Sequence, residues 1–183
     1  MTKEHLKKTE IGIVIKQDIL EKQANLIYIG IGSNLGNRLK NIELAKFFLL
    51  LHQIKIIEVS KYYETLSWPD PKEPKFLNIV ISIKSDLTPG KLIKIFKKIE
   101  NLLGRKNKKK NSPRPCDIDI IDYKKKIFKN KIIIPHKRMH KRNFVLLPLY
   151  EICKNWIHPL SKTSIKKLIF SLSNKDIRTI KQI

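Results

Sequence analysis

Nine consecutive residues, Pro113-Arg114-Pro115-Cys116-Asp117-Ile118-Asp119-Ile120-Ile121, combine an arginine, two carboxylates at i and i+2, and alternating apolar residues. The alternation predicts a β-strand. On a strand, Asp117 and Asp119 share one face, while Cys116, Ile118 and Ile120 share the other. Carboxylates two residues apart are separated by roughly 6.6 Å along the strand. Flexible side chains at that spacing can converge on one Mg²⁺, or on two ions about 3.5–4 Å apart. The competing reading is the wet face of an antiparallel strand. Against it, aspartate is a poor strand former and two like charges on one face repel, so a cation is needed to hold them together.

A second candidate lies on the strand predicted over residues 76–83. Leu77, Ile79, Ile81 and Ile83 give it a continuous core face, and Phe76 and Asn78 point the other way. A ring beside an amide can stack on a flat heterocycle and pair with its edge; an ordinary half-buried strand has the same pattern. A basic run, Arg105-Lys106-Asn107-Lys108-Lys109-Lys110, immediately precedes the Asp-x-Asp strand and has no apolar anchor, so a mobile loop able to close over an anion is expected.

The elements that position these groups follow from periodicity and punctuation. A strand is predicted over 26–32, then a turn, Ser33-Asn34-Leu35-Gly36-Asn37, with Asn37 capping a helix whose stripe is Leu39, Ile42, Ala45, Phe48 and Leu49. A dinucleotide fingerprint fails here, because Gly30 and Gly32 are followed by Leu35 where the third glycine belongs. There is no Walker loop either. A strand over 54–63 leads into a proline-rich loop with an exposed Trp68. Thr88 and Pro89 start a second helix, with Leu92, Ile95, Phe96, Ile99 and Leu103 as its stripe and Gly104 ending it. Another strand is expected over 126–134, a helix interrupted by Pro148 over 144–153, and a small helix over 163–172. The order strand, helix, strand, strand, helix, strand indicates an α+β fold: a ferredoxin-like antiparallel sheet with helices packed on one face.

The chain of 183 residues suits one domain, residues 25–183, preceded by an extension, residues 1–24, with a short strand at 11–15 and a helical turn at 17–23. Cys116 and Cys153 stand too far apart for a disulfide framework or zinc knuckle, and His136, His140 and His158 lack partners for a four-ligand zinc set. The longest apolar run is five residues, 47–51, and the N-terminus has no signal-peptide core, so a reduced cytoplasmic protein is expected. The net charge is +23. It suits a polyanionic partner, or it reflects a lysine-rich, isoleucine-rich composition spread along the whole chain.

Taken together, Gly30-Ile31-Gly32-Ser33-Asn34-Leu35-Gly36-Asn37, Tyr63-Glu64-Thr65, Phe76-Leu77-Asn78, the Pro113–Ile121 stretch, Ile134-Pro135-His136 and Arg142-Asn143-Phe144 closely resemble the 6-hydroxymethyl-7,8-dihydropterin pyrophosphokinase family, in order from about residue 26 to 159. The resemblance implies Mg²⁺-dependent transfer of pyrophosphate from ATP to the pterin hydroxymethyl group, with AMP as the other product, in folate biosynthesis. It implies that Asp117 and Asp119 hold two Mg²⁺ ions. Arg105, Arg114, His136 and Arg142 would contact the phosphates of the ATP co-substrate, with Glu100 in the same site and Ile120 meeting adenine through its backbone. Thr65, Leu66, Phe76, Asn78 and Phe144 would line the pterin pocket. The chain departs from the pattern at Asn111 and Ser112, where tryptophan and glycine are frequent. Lys131 stands where an arginine often holds the nucleotide, and offers a point charge without the bidentate fork. The implied partners are small molecules, with neither nucleic acid nor membrane, and a monomer is expected. The alternatives are a basic ferredoxin-like nucleic-acid-binding module, against which the aspartate face argues by repelling phosphate, or an inactive family member, against which the intact Arg114, Asp117, Asp119, His136 and Asn78 argue.

Overall fold

The computed structural model describes residues 25–67, 70–106 and 112–183. The elements expected within residues 1–24, the exposed Trp68, Asn111 and the basic run beyond Lys106 lie outside them.

Alternating apolar residues build the two strands at the centre, β1 (Ile27–Ser33) and β4 (Phe76–Lys84). They pair antiparallel with Gly32 opposite Asn78. The Asp-x-Asp segment forms β5 (Asp117–Tyr123) on the other side of β1, with Gly32 opposite Asp117 and Gly30 opposite Asp119. The far side of β4 is shared by β2 (Lys55–Val59) and β3 (Tyr63–Thr65). The strand expected over 54–63 is therefore two strands. Between them Ser60 takes a ladder position with its side chain: its Oγ accepts from Val80 N at 3.0 Å. A terminal strand, β8 (Ile180–Gln182), pairs with β3 and extends the edge.

Helices α1 (Arg38–Leu51) and α2 (Pro89–Leu102) pack on one face of the sheet, as the ferredoxin-like order requires. Their starts are capped as expected: Asn37 accepts from Lys40 N, and Thr88 from Lys91 N. Gly104, at φ +88°, ends the second, a conformation that disfavours a side chain. Ile27, Ile29, Ile31, Leu77, Ile79, Ile81, Ile83, Ile118 and Ile120 meet Ile42, Ala45, Leu49, Leu92, Phe96 and Ile99 in one core. Each such buried Ile, Leu or Phe side chain contributes on the order of 1.5–3 kcal/mol. Leu39, expected in the stripe, is instead 51% exposed.

The C-terminal third adds a second layer on the opposite face. The segment 126–134 is a hairpin of two short strands, β6 (Phe128–Lys129) and β7 (Ile133–Ile134), in place of the single strand expected. After a 3₁₀ turn (Met139–Lys141) comes α3 (Asn143–Ile152), which runs through Pro148 without a break. Pro148 is buried, and its packing offsets the lost backbone bond. Then follow α4 (Ile165–Phe170) and α5 (Asn174–Arg178). Val145, Leu146, Leu149, Trp156, Ile165 and Leu168 pack on Tyr28, Val80 and Ile121. This layer covers one end of the sheet's second face and leaves the end bearing Gly32, Asn78 and Asp117 open to a cleft.

A register shift in β5 fastens this layer. Ile29 pairs with Ile120 but Tyr28 pairs with Asp122, so Ile121 is an extra residue. Asp122 is fully buried and accepts from Trp156 Nε1 at 2.8 Å and Lys125 N at 3.0 Å, with Lys125 Nζ at 3.3 Å. Asp122→Ala strands the Trp156 donor and should lower the unfolding free energy by about 3 kcal/mol. The check is a shift in denaturant midpoint at constant m. Asp122→Asn, which keeps an acceptor, should lose less; equal losses would show that the Trp156 bond is not what Asp122 supplies.

Candidate active site

The cleft has a volume of about 410 Å³ and its floor is a cross-strand row, Asp117–Gly32–Asn78. Two strand spacings put Asp117 and Asn78 roughly 10 Å apart on the same face. Gly32 lies between them because nothing larger fits. A Cβ built there would sit 2.8 Å from Asn78 Oδ1 and 3.3 Å from Phe76 Cδ1. The Gly30-x-Gly32 pattern, which the sequence left as part of a strand-to-turn segment, is thus the bare floor of the site. The signal was present: glycine in a strand marks a close approach.

On one side, Asn78 is buried and oriented by Thr65. Its Nδ2 donates to Thr65 Oγ1 at 3.0 Å, which leaves Oδ1 as its outward acceptor. Phe76 from β4 and Phe144 from α3 line the same region with Thr65 and Leu66. Each ring carries a guanidinium: Arg114 Cζ lies 5.8 Å from the Phe76 centroid, and Arg142 Cζ 5.5 Å from that of Phe144.

On the other side are the charges. Arg105 Nη1 contacts Glu100 Oε1 at 2.6 Å and Asp117 Oδ1 at 2.8 Å. Arg114 Nε is 3.7 Å from Asp117 Oδ2, and Arg142 Nη1 is 3.7 Å from Asp119 Oδ2. Both distances are too long for a hydrogen bond. Arg114 Nε is buried and has no hydrogen-bond partner. Burial, and then the Asp119 charge, push the Asp117 carboxyl above its ordinary range, against the pull of Arg114 and Arg105. Burial also raises Glu100, although Ile118 N–H donates to it at 2.8 Å. Burial and the neighbouring Arg142 and Arg138 push the His136 imidazole down to about 4. Its Nδ1 accepts from Arg138 N, so the neutral ring keeps Nε2–H as its donor.

Eleven of the expected site residues line this one cleft: Thr65, Leu66, Phe76, Asn78, Arg105, Arg114, Asp117, Asp119, His136, Arg142 and Phe144. Three do not. Glu100 lies behind Arg105; the Ile120 side chain enters the core, which leaves its backbone for any ligand; Lys131 lies in the β6–β7 hairpin. The structure adds Arg138, Lys106, Met139 and Val145 to the lining. Arg138, two residues beyond His136 in a basic stretch, was legible as a charge but not as a cleft residue.

Carboxylates, arginines and an amide-lined ring slot in one cleft of a ferredoxin-like sheet define a transferase acting on a phosphorylated nucleotide and a flat acceptor. The chain belongs to the 7,8-dihydro-6-hydroxymethylpterin-pyrophosphokinase (HPPK) family, whose sequence model matches residues 28–154. It is 38% identical over 146 residues to the 2-amino-4-hydroxy-6-hydroxymethyldihydropteridine pyrophosphokinase of Aquifex aeolicus, covering 77% of this chain and 88% of that protein. It is 39% identical over 151 residues to a folic acid synthesis protein of Dictyostelium discoideum, covering 82% of this chain and 23% of that longer protein. The crystal structure of a Plasmodium falciparum HPPK-DHPS variant with pteroate superimposes with a TM-score of 0.67 at 16% identity, over 87% of this chain and 46% of that one, a likeness of fold.

Gly32→Ala should displace Asn78 and narrow the ring slot. With a pterin as the flat-ring probe, calorimetry should read an affinity loss of at least about tenfold in a variant that stays folded at the assay temperature, its melting point lowered by the overpacking. Unaltered affinity would mean that the Asn78 amide does not pair with the edge of the ring.

Proposed function

We propose that the chain transfers the β,γ-pyrophosphoryl group of ATP to the hydroxymethyl oxygen of 6-hydroxymethyl-7,8-dihydropterin in folate biosynthesis, giving AMP, the pterin diphosphate and a proton. The observation that carries this reading is the Asp117–Gly32–Asn78 row: a carboxylate at one end and a ring-reading amide at the other, about one pterin length apart. Family membership supplies the two substrates.

In this reading the pterin lies between Phe76 and Phe144, with Asn78 Oδ1 accepting from its edge and Thr65 and Leu66 closing the slot. Its hydroxymethyl group then points along the glycine floor toward the aspartates. The oxygen attacks Pβ in line, the bond from Pβ to the bridging oxygen of the AMP phosphate breaks, and AMP leaves with that oxygen. Asp117 and Asp119 would hold two Mg²⁺ ions. The donor set suits a hard ion: both carboxylates face the cleft, and Mg²⁺ ordinarily takes one or two carboxylates plus substrate phosphates. When bound, the metal neutralises phosphate charge and polarises the reacting oxygens.

The chain's own cations do the rest. Arg114 stands between the Phe76 ring and Asp117, so its guanidinium can follow charge on the transferred unit. Arg105 is held by Glu100 and Asp117 and can exchange the Asp117 contact for a phosphate oxygen while Glu100 keeps it in place. Neutral His136 donates to phosphate without adding charge, and Arg142 does so from the Phe144 side. Glu100 sits behind the nucleotide site, Ile120 offers its backbone to adenine, and Lys131 reaches the nucleotide from the hairpin. Residues 25–183 act as one domain, residues 1–24 as an extension. A monomer in the cytoplasm completes the reading; among the described residues no helix is long and apolar enough to cross a membrane.

AMP release from ATP and the pterin in the presence of Mg²⁺ is the direct test. Asp119→Ala should lower the rate by about 10³-fold or more; a rate within tenfold of the wild type would remove the metal assignment. Arg114→Ala should slow the chemical step by about 10²-fold while the pterin dissociation constant changes little. Lost pterin affinity with the fold intact would contradict the role given to Arg114.

A further inference from the structure

Asn34, in the turn between β1 and α1, does not line the cleft and is 2% exposed. Its backbone N–H donates to the Arg114 carbonyl at 3.2 Å. Its Oδ1 accepts from Arg114 N–H at 2.8 Å, and its Nδ2 donates to the Pro74 carbonyl at 3.2 Å. One side chain therefore ties together two segments that lie outside any helix or strand. The first runs through Arg114 into Asp117. The second runs through Pro74 into Phe76 and Asn78. Arg38, the first residue of α1, holds the second segment further, donating to Lys75 O at 3.0 Å and to Glu64 Oε2 of β3 at 2.9 Å. The far ends of the two segments meet across the cleft, where the Arg114 guanidinium lies over the Phe76 ring.

No other side-chain type reproduces this joint. The Arg114 N–H needs an acceptor and the Pro74 carbonyl needs a donor, both at the end of a short planar group. Aspartate keeps the acceptor and loses the donor. Serine is too short to span both.

We infer that Asn34 is a positioning residue that couples the two substrate halves of the cleft. This rests on the function proposed above. A nucleotide that engages Arg114 and Asp117 orders the first segment, and through Asn34 also the second, so the pterin meets Phe76 and Asn78 already placed. By linkage the effect is reciprocal. The two affinities are thus joined by a buried amide that touches neither substrate.

The experiment uses the full chain, Mg²⁺, and α,β-methylene-ATP, in which carbon replaces the oxygen whose bond to Pβ must break. Calorimetry gives the pterin dissociation constant with and without saturating analogue, for the wild type, Asn34→Asp and Asn34→Ser. The wild type should bind the pterin at least about tenfold tighter with the analogue present, within the usual range of coupling. In Asn34→Asp, which keeps the Arg114 contact, affinity for the analogue alone should stay within about threefold while the enhancement falls close to unity. Asn34→Ser, which buries no charge, should lose the enhancement as well. The inference is overturned if either folded variant keeps the wild-type enhancement, if both separate affinities fall together with the enhancement unchanged, or if the wild type shows no enhancement. Failure of the proposed function reads differently: the wild type then binds no pterin and forms no AMP.

Discussion

A gap in side-chain cover at the centre of a sheet governs this molecule. β1 passes between the strand bearing Asp117 and the strand bearing Asn78, and at Gly32 it offers only backbone. A methyl group at that point would collide with the Asn78 amide. The sheet can keep such a bare floor only because its other face is fully packed. Ile31, Leu77, Ile79 and Ile118 bury themselves against α1 and α2, so the strands stay fixed where no side chain braces them from above. The C-terminal layer must then stop short of the gap while reaching close enough to wall it. Asp122 achieves this by binding Trp156 at the covered end, which sets α3 so that Phe144 and Val145 border the cleft.

The aspartates are the second consequence. Burial raises the Asp117 carboxyl above its ordinary range, and the Asp119 charge on the same strand face adds to it. The protein offsets this with planar cations, each also anchored elsewhere: Arg105 to Glu100, Arg114 over Phe76, Arg142 over Phe144. Because two of those anchors are the aromatic walls themselves, the charge side and the ring side of the cleft are one mechanical unit.

Much of this was legible. A period of two assigns β4 and β5 their faces whatever surrounds them, and that sufficed to bring Phe76, Asn78, Asp117 and Asp119 to one side. The caps at Asn37 and Thr88 and the stop at Gly104 are local chemistry and emerged as read. What escaped depends on partners distant in sequence. Ser60 breaks a strand by substituting a hydroxyl for a ladder group, the Ile121 shift appears only once β1 is alongside, and Pro148 survives in a helix because the core rewards its burial. β8, three residues without a pattern, forms because β3 leaves an open edge. Asn34 reads as a turn residue until Arg114 and Pro74 are brought to it.

The large positive charge can now be divided between surface and site. The chain has six arginines against 33 lysines. Four of the six, Arg105, Arg114, Arg138 and Arg142, line the cleft, where among the described lysines Lys106 alone does so. A compositional drift toward lysine would fall on the surface and spare positions where a lysine could not serve. Arg114 and Arg142 each set a planar group over a ring, a geometry suited to holding an oxyanion at its edge and outside the reach of an ammonium. The excess of lysine thus says little about the ligand, and the placement of the few arginines says a great deal. In the proposed reading they give fixed, directional contact with phosphate, distinct from the diffuse attraction that the net charge alone would give.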